Sequence, residues 1–184
     1  MNRIVAAAAL AVALGAGSTQ ATPAQDELAA GLIAEFYDLG TATEDFPVLA
    51  ADRKPAVRRI DKHVNYESTT ERFAGTELSD YFYVRWTGLV RVPKDGKYTF
   101  FTESDDGSRL WIDDKQIVDN GGLHAMEEKS GEMTLKAGDY AIRIDVFDNA
   151  GPAGCKVSWE ADGMAKEIIP EKAFFHKKDK ELDK

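Results

Sequence analysis

The sequence of 184 residues is poor in cysteine, histidine and long apolar runs, and each shortage removes a class of protein. A single cysteine, Cys155, rules out an intrachain disulfide, so the fold must rest on its core. Cys155 alternates with polar neighbours in Cys155-Lys-Val157-Ser-Trp159, the pattern of a buried thiol. The three histidines, His63, His124 and His176, are far apart and fit no metal-ligand spacing. There is no Gly-x-Ser-x-Gly elbow and no phosphate-binding glycine loop. These gaps argue against an enzyme. Basic residues are also outnumbered: the formal charge is −9, which disfavours nucleic acid and anionic membrane as partners and suits divalent cations or uncharged ligands.

Long apolar runs are confined to the start. A short basic opening, Met1-Asn2-Arg3, is followed by Ala, Val, Leu and Gly from Ile4 to Gly17, and then by small residues with Thr19 and Ala21 at cleavage positions. Residues 1–21 read as a secretory signal peptide, because the run is shorter than the ~20 residues a membrane span requires. The expectation is a secreted or periplasmic protein of the cell envelope, with no membrane span after signal removal. One domain is expected over residues 26–176. The closing segment 177–184 alternates lysines with acids and reads as a charged, flexible tail.

What the chain does have is a period of two. Phe82, Val84 and Trp86 oppose Tyr81, Tyr83 and Arg85; Tyr98, Phe100 and Thr102 oppose Thr99, Phe101 and Glu103; Tyr140, Ile142, Ile144 and Val146 oppose Ala141, Arg143, Asp145 and Phe147. These are half-buried strands. Turn sequences separate them, among them Pro93-Lys-Asp95-Gly96, Asp113-Asp-Lys115 and Lys136-Ala-Gly138-Asp139. The pattern predicts an all-β fold, an antiparallel sandwich or barrel of jelly-roll type. Leu32 to Tyr37 alternates as a further strand. Gln25 to Ala30 has the look of a brief helix, and Asp45 to Asp61 that of a loop with a short helical turn.

Within this pattern Asp105-Asp106 stands out. Neighbouring strand residues point to opposite faces, so a consecutive acidic pair does not ordinarily serve one ligand. A backbone distortion, with Gly107 supplying freedom, would bring both carboxylates to one side and form a hard-cation site. The same Ser-Asp-Asp-Gly sequence is also good turn chemistry, and residues alone leave both readings open. Asp113-Asp114 reads as turn only. Asp119-Asn120-Gly121-Gly122 and His124 form a loop that either rims a groove or is simply solvated. Of the tryptophans, Trp86 and Trp159 are expected in the core, and Trp111 is expected to face outward, where a flat ring suits a sugar face.

The ordered string Arg85-Trp86-Thr-Gly88, Asp95-Gly96-Lys-Tyr98-Thr-Phe100, Ser104-Asp-Asp-Gly-Ser-Arg-Leu-Trp-Ile-Asp113, Leu135-Lys-Ala-Gly138-Asp-Tyr140 and Val157-Ser-Trp159 resembles the protective-antigen lectin-like family. Gly31 to Tyr37 and Ile169 to Phe174 resemble its two ends, so nearly the whole chain after the leader is covered. The resemblance implies a barrel-like β-sandwich found in adhesins, toxins and glycosidases. It also implies, for Asp105 and Asp106, a cis-linked pair that holds Ca2+ with the help of an asparagine on a later loop. Here that asparagine is Asn149, in Val146-Phe-Asp-Asn149-Ala. The ion would take sugar hydroxyls as further ligands. The carbohydrate-binding set expected on this basis is Asp105, Asp106, Asn149, Asp148, Asn120, His124 and Trp111. Two functions follow as expectations: a non-catalytic, calcium-dependent module for a glycan or polysaccharide, or a structural module that docks a surface or envelope protein.

Overall fold

The computed structural model describes residues 27–184, so the segment read as a signal peptide lies outside the described residues. In chain order the strands are β1 (Leu28–Ala30), β2 (Leu32–Asp38), β3 (Val57–Asp61), β4 (Asn65–Thr69), β5 (Phe82–Val92), β6 (Gly96–Asp105), β7 (Ser108–Ile112), β8 (Lys115–Asn120), β9 (Glu127–Leu135), β10 (Gly138–Asp148), β11 (Ala153–Ala161), β12 (Met164–Ile168) and β13 (Phe174–Lys177). Every pairing among them is antiparallel. The larger sheet runs β1-β13-β5-β10-β7-β8, with β2 on β5 and β3 on β2. The smaller runs β12-β11-β6-β9, with β4 on β11. The expected all-β sandwich is what forms. Among the described residues no helix is long and apolar enough to cross a membrane.

The inner faces carry the alternating residues read from the sequence. Val84, Trp86 and Val90 of β5, Ile142, Ile144 and Val146 of β10, and Tyr98 and Phe100 of β6 are all 2 % exposed or less. Trp86 packs edge-on against Phe36, with ring centroids 6.0 Å apart, and its indole N–H donates to Asp61 Oδ2 at 2.8 Å. Asp61 also accepts from Arg59 and from the Tyr66 hydroxyl, so this buried carboxylate is fully satisfied. Gly131 marks a close approach of the sheets: a Cβ there would lie 1.9 Å from the Ile117 carbonyl oxygen.

The core is not uniform along its length. Towards one end the inward rows turn polar on four strands. On β6 Tyr98 and Phe100 give way to Thr102 and Ser104. On β7 Ile112 and Leu110 give way to Ser108, on β8 Val118 to Asn120, and on β10 Val146 to Asp148, and all of these polar residues are 0 % exposed. The hydroxyls interlock: Ser104 donates to Ser108 (2.6 Å), Ser108 to Thr102 (2.8 Å), and the Asn120 amide to Ser104 (3.2 Å) and to the Glu127 carbonyl (2.9 Å).

The outer face of the larger sheet carries a ladder of alternating charge. Strand register sets Asp119 opposite Arg109, Arg109 opposite Asp145, Asp145 opposite Arg85, Arg85 opposite Glu35 and Glu35 opposite Arg58. Opposite charges facing one another across strands favour this register, and a one-residue slip would lose every pair.

Three local expectations change. Leu28–Ala30 is extended, because it pairs with β13 instead of coiling on itself. Val57–Asp61 is a strand, held on β2 with Arg58 on Glu35. The closing segment is tied down: the Lys178 N–H donates to the Glu27 carbonyl, Arg58 grips Asp179 at 2.6 Å, and buried His176 meets Asp183.

Candidate functional site

At the polar end of the core, β6 runs into Asp105 and Asp106, which are joined by a cis peptide bond. Both carboxylates are 7 % exposed. Asp106 ties two loops together: its Oδ1 accepts the His124 N–H at 3.1 Å and its Oδ2 the Asn149 N–H at 2.9 Å. Asp105 takes a hydrogen bond from the Ser68 side chain, and burial together with the nearby Asp106 pushes its carboxyl up. Gly107 is needed here for space. A Cβ would lie 2.4 Å from Phe147 Cε1, and the Gly107 carbonyl accepts the Phe147 N–H at 3.0 Å. The conformational freedom expected of Gly107 is not what the position uses, since its φ lies outside the left-handed region.

Asp148 completes the group. It is 0 % exposed, and neither carboxylate oxygen has a hydrogen-bond partner. Burial, then the charges of Asp106, Asp80 and Asp105, push its carboxyl up to about 7. The Tyr81 N–H lies close enough to offset a small part of that rise, but its well-formed hydrogen bond goes to the Asn149 carbonyl at 3.1 Å. The other buried aspartates differ: Asp61 and Asp145 each sit among several cationic or hydroxyl donors. A buried carboxylate without a donor is unusual and costly, and the nearby charges of Asp106, Asp80 and Asp105 increase the cost. Among the described residues no three His, Cys, Asp or Glu side chains stand as a ready ligand set, so an ion here would draw part of its shell from neutral oxygens. The donor set of carboxylate and carbonyl oxygen suits a hard divalent cation and not a soft metal.

The other expected residues fall in different places. Asn149 reaches the group through its backbone N–H, while its side-chain Oδ1 accepts the Thr43 N–H at 3.1 Å. His124 likewise contributes its N–H, and its ring nitrogens face the carbonyls of Ala125 (2.9 Å) and Asn120 (3.1 Å). Asn120 is not a rim residue: it is fully buried, and its amide clamps β6 and β8 beneath the pair. Trp111 does face outward, unlike buried Trp86 and Trp159, but it does not join this group. It lies three residues up β7 from Ser108, roughly 10 Å along the strand, under the Arg143 guanidinium on the outer sheet face. Asp113 and Asp114 form the turn expected of them, with φ of 47° and 62°.

One neighbour, read from the sequence only as the outer face of a strand, belongs to the site's surroundings. Tyr81 is 37 % exposed, has a φ of 53° and lies beside Asp80, Asp148 and Asn149. The signal for Asp148 was present: the row Ile142, Ile144, Val146 continued by one step puts a carboxylate at a core position.

Residues 28–173 match the model of the PA14 domain, and the chain belongs to that family. Among curated proteins it is 33 % identical over 121 residues to the anti-sigma-I factor RsgI3 of Acetivibrio thermocellus, covering 64 % of this chain and 18 % of that protein. The chain thus spans about a fifth or less of the curated relatives it matches. Among solved structures, the PA14 sugar-binding domain from an RTX adhesin superposes with a TM-score of 0.69 at 20 % identity, covering 80 % of this chain and 98 % of that one. The A domain of epithelial adhesin 6 from Candida glabrata, solved with Galb1-3GlcNAc, superposes at 0.61 and 15 % identity, covering 87 % and 93 %. These two likenesses establish the fold.

Proposed function

We propose that the polar end of the sandwich is a calcium-assisted sugar-binding site, and that the protein is a non-catalytic glycan-binding module acting outside the cytoplasm. The observation that carries the reading is Asp148: a carboxylate at a core position, without a donor, beside the Asp105-Asp106 pair. A divalent cation relieves that arrangement, since it offsets the mutual repulsion and occupies the idle oxygens. Asp105, Asp106 and Asp148, which do not converge as a ready ligand set, would close on the ion, with the Asn149 amide oxygen as a further donor on leaving Thr43. When bound, calcium supplies open positions for vicinal hydroxyls of a sugar. The protein's own part is to fix the two loops: Asp106 anchors both through the His124 and Asn149 N–H groups, and exposed Tyr81 and Leu123 stand at the rim as apolar surface for a sugar's C–H face. Sugar binding by the RTX adhesin domain and by epithelial adhesin 6 supports the ligand class.

Calorimetry tests this. Calcium should bind with a stoichiometry of one, and a glycan array probed in calcium should give hits that chelator abolishes. An array without hits in calcium, or hits indifferent to chelator, overturns the proposal. A protein partner retained in chelator would favour a docking role instead, a role that the likeness to an anti-sigma factor supports.

A further inference from the structure

A trough of mixed polar and apolar lining lies on the outer face of the larger sheet, away from the Asp105-Asp106 end. It has a volume of about 270 Å³ and is lined by Thr87, Trp111, Asp114, Ala141 and Arg143, with backbone of Gly88 and Ile142 below. That is just below the ~300 Å³ at which ligand pockets begin, so the trough is small enough to limit its occupant to a single small unit. Strand register places Trp111 opposite Arg143 and Arg143 opposite Thr87, so the three form one rung across β7, β10 and β5.

Arg143 is the informative member. Its guanidinium stacks on the Trp111 ring with the carbon 4.0 Å from the centroid, which holds the group flat and in place. Its Nε and Nη2 both reach Asp145 Oδ2, at 3.1 and 2.7 Å. Asp145 is already the partner of Arg85, at 3.1 Å, and it is 2 % exposed. Two guanidinium groups therefore share one buried carboxylate, so Asp145 neutralises Arg143 only in part, and Asp114 is the one acidic side chain lining the trough beside it. The Arg143 side chain is 42 % exposed, and its Nη1 edge, unused by Asp145, is the one left for a ligand. A planar, immobilised guanidinium presenting N–H donors is matched to a carboxylate.

We propose that this trough is a separate binding site for an acidic sugar, a uronic acid unit of a glycan. Its carboxylate meets the free edge of Arg143, its ring lies along the edge of the Trp111–Arg143 stack, and its hydroxyls are within the compass of Thr87 and Asp114. Ala141 leaves the floor low enough to admit the ring. The net charge of the chain opposes a polyanion at long range, but salt screens that repulsion over ~10 Å at 0.1 M, and contact with Arg143 then decides.

The test keeps the protein whole and works in chelator, which silences the Asp105-Asp106 end. Trp111 is half-buried while Trp86 and Trp159 are 0 % and 2 % exposed, so tryptophan fluorescence reports on the trough. Titration with a short glucuronate-containing oligosaccharide should shift the emission, with its neutral glucose counterpart binding at least tenfold more weakly. By calorimetry, Arg143→Gln and Trp111→Ala should each lose at least tenfold in affinity. Arg85 still neutralises Asp145 in Arg143→Gln, so that variant keeps the buried pair, and Thr87→Val adds a milder probe expected to lose several-fold. Equal affinity for the neutral sugar, undiminished binding by Arg143→Gln, or tighter binding of an oligoglutamate peptide than of the uronic acid overturns the proposal.

Discussion

Two Asp-Asp pairs bracket strand β7 and have opposite fates. Asp105-Asp106 precedes the strand, is buried and is cis-linked, and it faces Asp148 across the end of the core. Asp113-Asp114 follows the strand, is left-handed at both residues and is open to solvent, where Asp113 Oδ1 caps the Ala141 N–H at 2.8 Å. The dipeptide is the same, so composition does not separate them. What separates them is where each pair falls in the strand register. At the first pair, inward rows on β6, β7, β8 and β10 have turned polar and deliver a second set of oxygens. At the second, β7 simply hands over to β8 through a tight turn, and water solvates the charge.

The largest test of this contrast removes one carboxylate from each pair. Asp106→Ala should reduce calcium-dependent glycan binding at least a hundredfold, and the two backbone N–H groups it strands should lower stability by roughly 2–3 kcal/mol, seen in denaturant unfolding. Asp114→Ala should leave binding within twofold.

Asp148 gives the next effect, through pH. Its carboxyl is raised to about 7, above the unfolded value of ~4. The native state thus keeps a proton that the unfolded state releases. The resulting stabilisation is full below about pH 4, declines as pH rises and is gone above about pH 7, a span worth on the order of 4 kcal/mol. Asp105 is raised as well and acts in the same direction. In chelator, the melting temperature should therefore fall from pH 5 to pH 8, and Asp148→Asn should flatten that slope. Calcium at pH 8 should restore the parent and not the variant.

Smaller effects refine the geometry. Gly107→Ala forces a methyl onto Phe147 and should cost about 1–3 kcal/mol, with weaker glycan binding as the Phe147–Gly107 contact shifts. Asp114→Gly relieves a left-handed residue at the solvated turn and should add about 0.5–1 kcal/mol, measurable by thermal unfolding and without effect on calcium-dependent glycan binding.

The sandwich was legible because alternation is local: Val84 and Trp86, or Ile142 and Ile144, reveal their face within a few residues. The Asp105-Asp106 pair was legible through its neighbours in sequence and through family likeness. Its surroundings were less so. Asn120 reads as loop but becomes a buried clamp, because only the fold brings Ser104 and the Glu127 carbonyl to its amide. Trp111 reads as a sugar platform, and the sequence does not say that β7 carries it to a different surface. The tail 177–184 reads as free, since its anchors Arg58 and Glu27 lie more than 100 residues away in the chain. Tyr81 reads as strand, and its left-handed backbone is imposed by hydrogen bonds to Leu39 and Asn149.

The most direct measurement is a crystal structure grown with calcium and refined against anomalous data. The account predicts one ion within about 2.3–2.6 Å of oxygens from Asp105, Asp106 and Asp148. Anomalous density located elsewhere, or an empty site with Asp148 still without a partner in saturating calcium, would contradict it.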